Sequence, residues 1–253
     1  MKAIKPFPTI DDVFENPKEF YKTIFFPLLT IDLEELGKGT GKVHFISVYG
    51  DGDPDIEFKD NNMNYDFIRF NRNGDKYLFD GDLTVLPHFN DLENWYNDAL
   101  KEFEENKDEY LQPKKDWEEV KNSKWKKNRE LSKKISEDYD YYISGLINYW
   151  VTRDKYFETG KFIQGGNYLE NYSNHEREFC SELDDKIEFN EENTLEDLCS
   201  HIDDYIMDSG ETTQDKKYIG ACTGYNYIEF GEDEIYLFVD EQKNEAVQYF
   251  IWT

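Results

Sequence analysis

The chain has 253 residues, with 29 Lys and Arg against 56 Asp and Glu, so its formal net charge at pH 7 is −27. Aromatic residues make up 17% of it, too much adhesive surface for an acidic disordered chain. No run approaches the ~18–20 apolar residues of a membrane span, and charge of this sign repels nucleic-acid phosphate.

The expectation is a folded acidic protein able to bury a real core. The opening Met1-Lys2-Ala3-Ile4-Lys5-Pro6-Phe7-Pro8 lacks the apolar run and small-residue cleavage site of a secretory signal. Three widely spaced cysteines, Cys180, Cys199 and Cys222, do not form a disulfide framework. A reducing cytoplasm is the expected compartment.

In chain order, a helix is expected over Asp11 to Phe25, with Phe20, Tyr21 and Ile24 on one face and Pro27 ending it. Leu28 to Leu33 and Val43 to Tyr49 read as strands around a turn at Gly37, Gly39 and Gly41. Tyr65 to Phe70, Lys76 to Phe79 and Leu83 to Leu86 read as further strands, with a hairpin signal at Asn73-Gly74. The middle is helical. Leu92, Trp95, Tyr96, Ala99, Leu100 and Phe103 form one apolar stripe, started by a capping-box pattern at Asn90 and Glu93. A second helical stretch covers much of Trp117 to Trp150, with Leu131, Ile135, Tyr142, Ile143, Leu146 and Trp150 on one side, so a helical hairpin is expected. After Gly160, Thr194 caps a short helix carrying Leu195, Leu198, Ile202 and Ile206. Four aromatic-rich strands follow, at Tyr218-Ile219, Tyr225 to Ile228, Ile235 to Val239 and Ala246 to Ile251. The last two form a hairpin around Asp240 to Asn244.

The expected fold class is therefore α+β, with two antiparallel β-rich units at the ends of the chain and a long helical insertion between them. The expected divisions are 1–88, 89–158 and 159–253, within one compact domain. The two β regions echo each other: Leu28-Leu29-Thr30-Ile31 then Val43-His44-Phe45-Ile46, against Tyr218-Ile219-Gly220-Ala221 then Ile235-Tyr236-Leu237-Phe238.

These segments, with Pro27 to Leu36, the Gly165-Gly166 turn and the closing Glu234 to Phe238 and Ala246 to Phe250, resemble the YwqG-like family of bacterial proteins. That family repeats a β-rich unit twice. The chain departs from it at Thr30 and Ala221, where the family has glutamine, and at Asn167, where it has proline. The family brings no catalytic residues to carry over. The resemblance implies a role among the immunity proteins of bacterial toxin systems.

Among candidate chemical groups, Asp51, Asp53, Asp55 and Glu57 alternate as carboxylates of a cation loop would. An EF-hand is excluded because Ile56 and Asn62 stand where Gly and Glu are required. Asp55-Ile56-Glu57-Phe58-Lys59 holds the letters of a metal-dependent nuclease motif, without a second converging strand. The four histidines, His44, His88, His175 and His201, have no ligand partner at helical zinc spacing. His44 interrupts an apolar strand and reads as a cross-strand packing residue. His175 beside Cys180 is spaced to point elsewhere on a helix. Cys222 in a small-residue turn reads as a buried structural thiol. Gly165-Gly166 lacks the Lys and helix start of a phosphate loop. Lys114 to Lys134 is basic, with Trp117 and Trp125 interleaved. That mixture can grip single-stranded nucleic acid, though a solvated amphipathic helix is the simpler reading.

The function expected is non-catalytic protein binding with no cofactor: an immunity-type protein whose partner is a cognate toxin or other basic protein, with no membrane or nucleic-acid partner. The alternative is a metal-dependent hydrolase using Asp51, Asp53, Asp55 and Glu57. A third reading is a small-ligand site around Tyr225, Tyr227, Tyr236 and Trp252.

Overall fold

The structure is a computed structural model and describes residues 3–50, 56–58, 60–163, 178–180, 182–183 and 194–252. The chain begins with β1 (Ile4–Pro6), α1 (Ile10–Val13), a 3-10 turn (Glu19–Thr23), β2 (Phe25–Asp32) and β3 (Lys42–Val48). Next come β4 (Met63–Asn64), β5 (Phe67–Asn73), β6 (Lys76–Leu78) and a 3-10 turn (Leu83–Val85). The helical region holds α2 (Leu92–Leu111), α3 (Trp117–Asn122), α4 (Lys124–Ser132) and α5 (Glu137–Thr159). Then follow β7 (Glu182–Leu183), α6 (Leu195–Tyr205), a 3-10 turn (Met207–Ser209), β8 (Lys217–Cys222), β9 (Glu234–Asp240) and β10 (Glu245–Ile251). The fold class is α+β, as expected.

Two compact units result. One comprises Met1–Phe89, Cys180–Gly224 and Glu232–Thr253; the other comprises Asn90–Phe179 and Tyr225–Gly231. The first unit holds two antiparallel sheets, one ordered β1-β2-β3 and one ordered β4-β5-β10-β9-β8-β7 with β6 beside β5. Strand alternation explains how the larger sheet covers itself. Phe67, Tyr218, Phe238, Val247 and Tyr249 share one face and pack under Ile202 and Ile206 of α6. Phe14, Phe25, Phe70 and Tyr77 form an aromatic cluster, with Phe14 and Phe25 stacked at 5.0 Å and Phe70 and Tyr77 at 4.9 Å.

The first unit also repeats itself. The series short strand, helix, 3-10 turn, bulged strand, seven-residue strand runs through β1 to β3 and again through β7 to β9. Each series is an antiparallel triplet with the bulged strand in the centre. The register shifts between Pro27 and Leu29 in β2, and between Tyr218 and Gly220 in β8. The first bulge accommodates Pro27, which has no N–H to give a central strand.

The smaller sheet ends at β3, an edge that side chains of the same unit complete. Tyr77 Oη accepts from the His44 N–H at 2.7 Å and donates to the His44 carbonyl at 3.2 Å. The Gln248 amide does both for Ile46, accepting from its N–H and donating to its carbonyl, each at 2.7 Å. Glu232 Oε1 accepts from the Val48 N–H at 2.9 Å. Alternate residues of an edge strand present their backbone groups outward, and here a phenol, an amide and a carboxyl replace the missing neighbour.

In the second unit α2 and α5 pack side by side and run parallel, not as the expected hairpin, because α3 and α4 carry the chain back between them. Trp95 packs on Tyr139 and Tyr142, and Tyr96 and Phe103 pack on Trp150. Gly145 lies in the interior of α5 because a Cβ there would stand 2.2 Å from the Phe230 ring. Gly160 ends α5 at φ 71°, a left-handed C-cap.

Several expected elements differ. The Asp11–Phe25 helix reduces to α1 and a 3-10 turn. Asn16 takes φ 53° and Pro17 removes a donor, while Phe25 already belongs to β2. Leu83–Leu86 is a 3-10 turn because Asp82 caps the Thr84 N–H at 3.0 Å. Tyr225–Ile228 is no strand; Tyr227 is buried against Phe162 and donates its hydroxyl to the Phe179 carbonyl at 2.6 Å. Asp91, not Asn90, occupies the N-cap of α2, without a side-chain cap bond. The Trp117–Trp150 stretch is three helices, interrupted at Ser123, which accepts from the Lys126 N–H at 3.2 Å and starts α4 afresh. Leu131 and Ile135 consequently leave the stripe of α5 and stand exposed.

Candidate functional site

The outward-facing chemistry of the first unit gathers on the smaller sheet. Cross-strand register places Lys5 opposite Thr30 and Thr30 opposite His44; the neighbouring row is Ala3, Asp32 and Lys42. Residues two apart on each strand share a face, so these six side chains pave one side of the sheet. Asp12 of α1 and the Asp75-Lys76 segment beside β6 rise around them. Together they line a pocket of about 300 Å³.

Its floor is fixed. His44 is buried, with Nδ1 2.9 Å from the Thr30 hydroxyl and Nε2 2.8 Å from the Asp75 carbonyl. A carbonyl only accepts, so Nε2 carries the proton and Nδ1 accepts from Thr30; the tautomer is assigned from its partners. Burial pulls the His44 imidazole down to about 4, against the opposing pull of the Asp75 carbonyl. The Tyr77 ring stands edge-on at 4.9 Å.

The rim is charged but paired. Lys5 meets Asp12 at 3.1 Å and Lys42 meets Asp75 at 2.5 Å. Lys76 donates to the Asp11 carbonyl at 2.6 Å. The Thr9 N–H, then Lys5, holds the Asp12 carboxyl below its usual value. Asp75 holds the Lys42 ammonium above its own. Asp32 accepts from the N–H groups of Glu34 and Glu35.

The connectivity hydroxyl–imidazole–carbonyl is that of nucleophile, base and orienter. An imidazole held near 4 is neutral at pH 7 and is a poor acceptor for a threonine proton. The pocket thus has a neutral floor, fixed by hydrogen bonds, beneath three ammonium and three carboxylate groups. In the second copy of the β series the positions equivalent to Lys5, Thr30 and His44 are Glu182, Ala221 and Tyr236, so the threonine–histidine pair belongs to the first copy alone.

The sequence reading saw His44 as a packing residue but not the pocket. The available signal was the polar interruption at alternate positions of otherwise apolar strands: Thr30 and Asp32 in β2, Lys42 and His44 in β3.

Of the carboxylates considered for a cation, Asp51, Asp53 and Asp55 lie outside the described residues, as do Lys59, Gly165, Gly166, Asn167 and His175. Glu57 is exposed in a segment without regular structure. Among the described residues there is no group of three or more His, Cys, Asp or Glu placed to hold a metal ion, and no helix is long and apolar enough to cross a membrane. His88 and His201 are exposed. Cys222 is buried, and burial, then Cys180 and Glu232, pushes its thiol up, which makes it inert. Tyr225 and Tyr227 belong to the second unit while Tyr236 and Trp252 belong to the first, and Trp252 donates its indole N–H to the Tyr65 carbonyl at 3.2 Å. Trp125 is buried and only Trp117 of the basic segment's two tryptophans is exposed.

Compared with protein-family models, curated proteins and solved structures, the chain has no significant match.

Proposed function

We propose that this protein is a non-catalytic binding protein that occludes a positively charged protein partner, in the manner of an immunity protein neutralising a toxin. The observation that carries the reading is a run of exposed carboxylates along α6 and the turn after it, with an exposed methionine at its C-terminal end. Met207, 70% exposed, follows α6 directly. Glu196, Asp197, Asp204 and Asp208 of the same segment are all exposed. A desolvating apolar anchor within a charged rim is the usual anatomy of a protein-binding face. The net charge of −27 gives that face a long-range field that speeds encounter with a basic partner. A toxin that acts on nucleic acid needs a basic surface, and an acidic field imitates the phosphates which that surface binds. His44, too weak a base for general-base work at neutral pH, supports the non-catalytic side of the reading.

The test is recovery of the bound protein from native cells, followed by affinity measurement with the full chain. A basic partner is expected, bound roughly tenfold or more weakly by Asp204→Lys with Asp208→Lys, and more weakly again by Met207→Ser. An acidic partner, or unchanged affinity in both variants, contradicts the proposal.

A further inference from the structure

The second unit carries a surface of the opposite sign. From Lys114 to Lys134 the chain has nine Lys and Arg against four Asp and Glu, a net +5 within a molecule of −27. The structure uses some of these cations internally. Arg129 meets Asp140 at 3.0 Å and Glu229 at 2.7 Å, and Lys114 reaches Glu109 at 3.5 Å. Lys121, Lys126, Lys127, Lys133 and Lys134 are all exposed and make no ion pair with a described carboxylate.

The same face presents aliphatic side chains outward. Trp125 is buried and turned to the helical unit, so Lys127 and Leu131, one turn apart, lie on the open side of α4. Leu131 is 59% exposed, and Ile135, in the connection to α5, is 70% exposed. Ser136 then caps α5 through the Tyr139 N–H at 3.0 Å, which fixes the connection. Two large aliphatic groups thus stand exposed beside ammonium groups that have no carboxylate partner among the described residues.

We infer that this patch, Lys127, Leu131, Lys134 and Ile135 with Lys126 and Lys133, binds a short acidic peptide segment carrying apolar side chains, independently of the basic partner proposed above. Charge complementarity selects the acidic chemistry. Extent selects the peptide. At physiological ionic strength fields decay over about 8 Å, so a short segment at the patch senses mainly the exposed Lys126, Lys127, Lys133 and Lys134. An anionic bilayer or a long nucleic acid extends past the patch to exposed carboxylates of the same unit, such as Glu130, Glu137 and Asp138, which repel it. Nucleic acid is further disfavoured because the patch lacks what grips bases: Trp125 is buried and Arg129 is already engaged.

The experiment uses the full chain and a fluorescein-labelled peptide of glutamates with two leucines one helical turn apart, read by anisotropy. Binding is expected, weakening with salt. It should fall at least tenfold in Lys127→Glu with Lys134→Glu, and again in Leu131→Ser with Ile135→Ser. All four side chains are exposed, and an unchanged unfolding transition certifies the variants. Phosphatidylglycerol vesicles and a single-stranded RNA oligomer are run alongside and are expected to bind more weakly than the peptide. Absence of peptide binding, equal binding by either variant pair, or tighter binding of vesicles or RNA overturns the inference.

Discussion

His44 and Glu232 are buried groups of the first unit whose proton equilibria oppose each other. Glu232 is fully buried; its Oε1 accepts from Val48 while Oε2 has no hydrogen-bond partner. Gly224 leaves room for this carboxyl, since a Cβ there would stand 2.4 Å from Oε2. Burial raises the Glu232 carboxyl from 4.5 to about 7, against the hydrogen bond it accepts from the Val48 N–H. The folded state thus keeps a proton that the unfolded state releases above pH 4.5. The stability this contributes is full below 4.5 and is lost as pH rises through 7, a change of roughly 3 kcal/mol. His44, lowered from 6.5 to about 4, acts the other way. Its contribution is present above 6.5 and is lost as pH falls toward 4, again roughly 3 kcal/mol. Between about pH 4.5 and 6.5 the two slopes cancel. Glu232→Gln keeps the acceptor for Val48 and removes the acid, so its stability relative to wild type should climb by roughly 3 kcal/mol from pH 4.5 to 7, measured by urea unfolding at each pH. A constant difference across that range contradicts the assignment. His44 and its strand were legible in the sequence. Its depressed basicity was not, because that depends on burial and on partners 14 and 31 residues away.

Strands and helices were readable where one period dominated. The β9–β10 hairpin, β3, α6 with its Thr194 cap, and α2 all follow apolar spacing. The errors fall where a local side-chain bond or a proline outweighs spacing: Asp82 closes a turn, Ser123 restarts a helix, and Asn16-Pro17 interrupts one. The repeated series was visible only as an echo between two strand pairs; its helices and bulges emerge from register. The completion of the β3 edge was also hidden, since Gln248 lies 202 residues from Ile46. Gln248→Leu fits the space but leaves the Ile46 N–H and carbonyl buried without partners. The expected loss is roughly 2–5 kcal/mol of unfolding free energy, read by urea denaturation. A loss below about 1 kcal/mol means that β3 does not depend on this side-chain substitute for a neighbouring strand.

At the scale of the whole molecule the dominant quantity is charge, and its sign is uneven. A basic segment of net +5 sits in a chain of −27, and only the structure separates its engaged cations, such as Arg129, from its free lysines. Composition sets the expected electrostatics of association but says nothing about where a partner docks. That requires knowing that Met207, Leu131 and Ile135 face outward, which spacing alone placed on an apolar stripe in the latter two cases. The polar pocket adds a floor fixed by hydrogen bonds and a rim of paired charges. The account therefore assigns function to fields and surfaces. Stopped-flow association of the full chain with its recovered partner, over a series of salt concentrations, tests this most directly. The rate constant should fall roughly tenfold or more from low to physiological salt while dissociation changes little; an association rate indifferent to salt would contradict it.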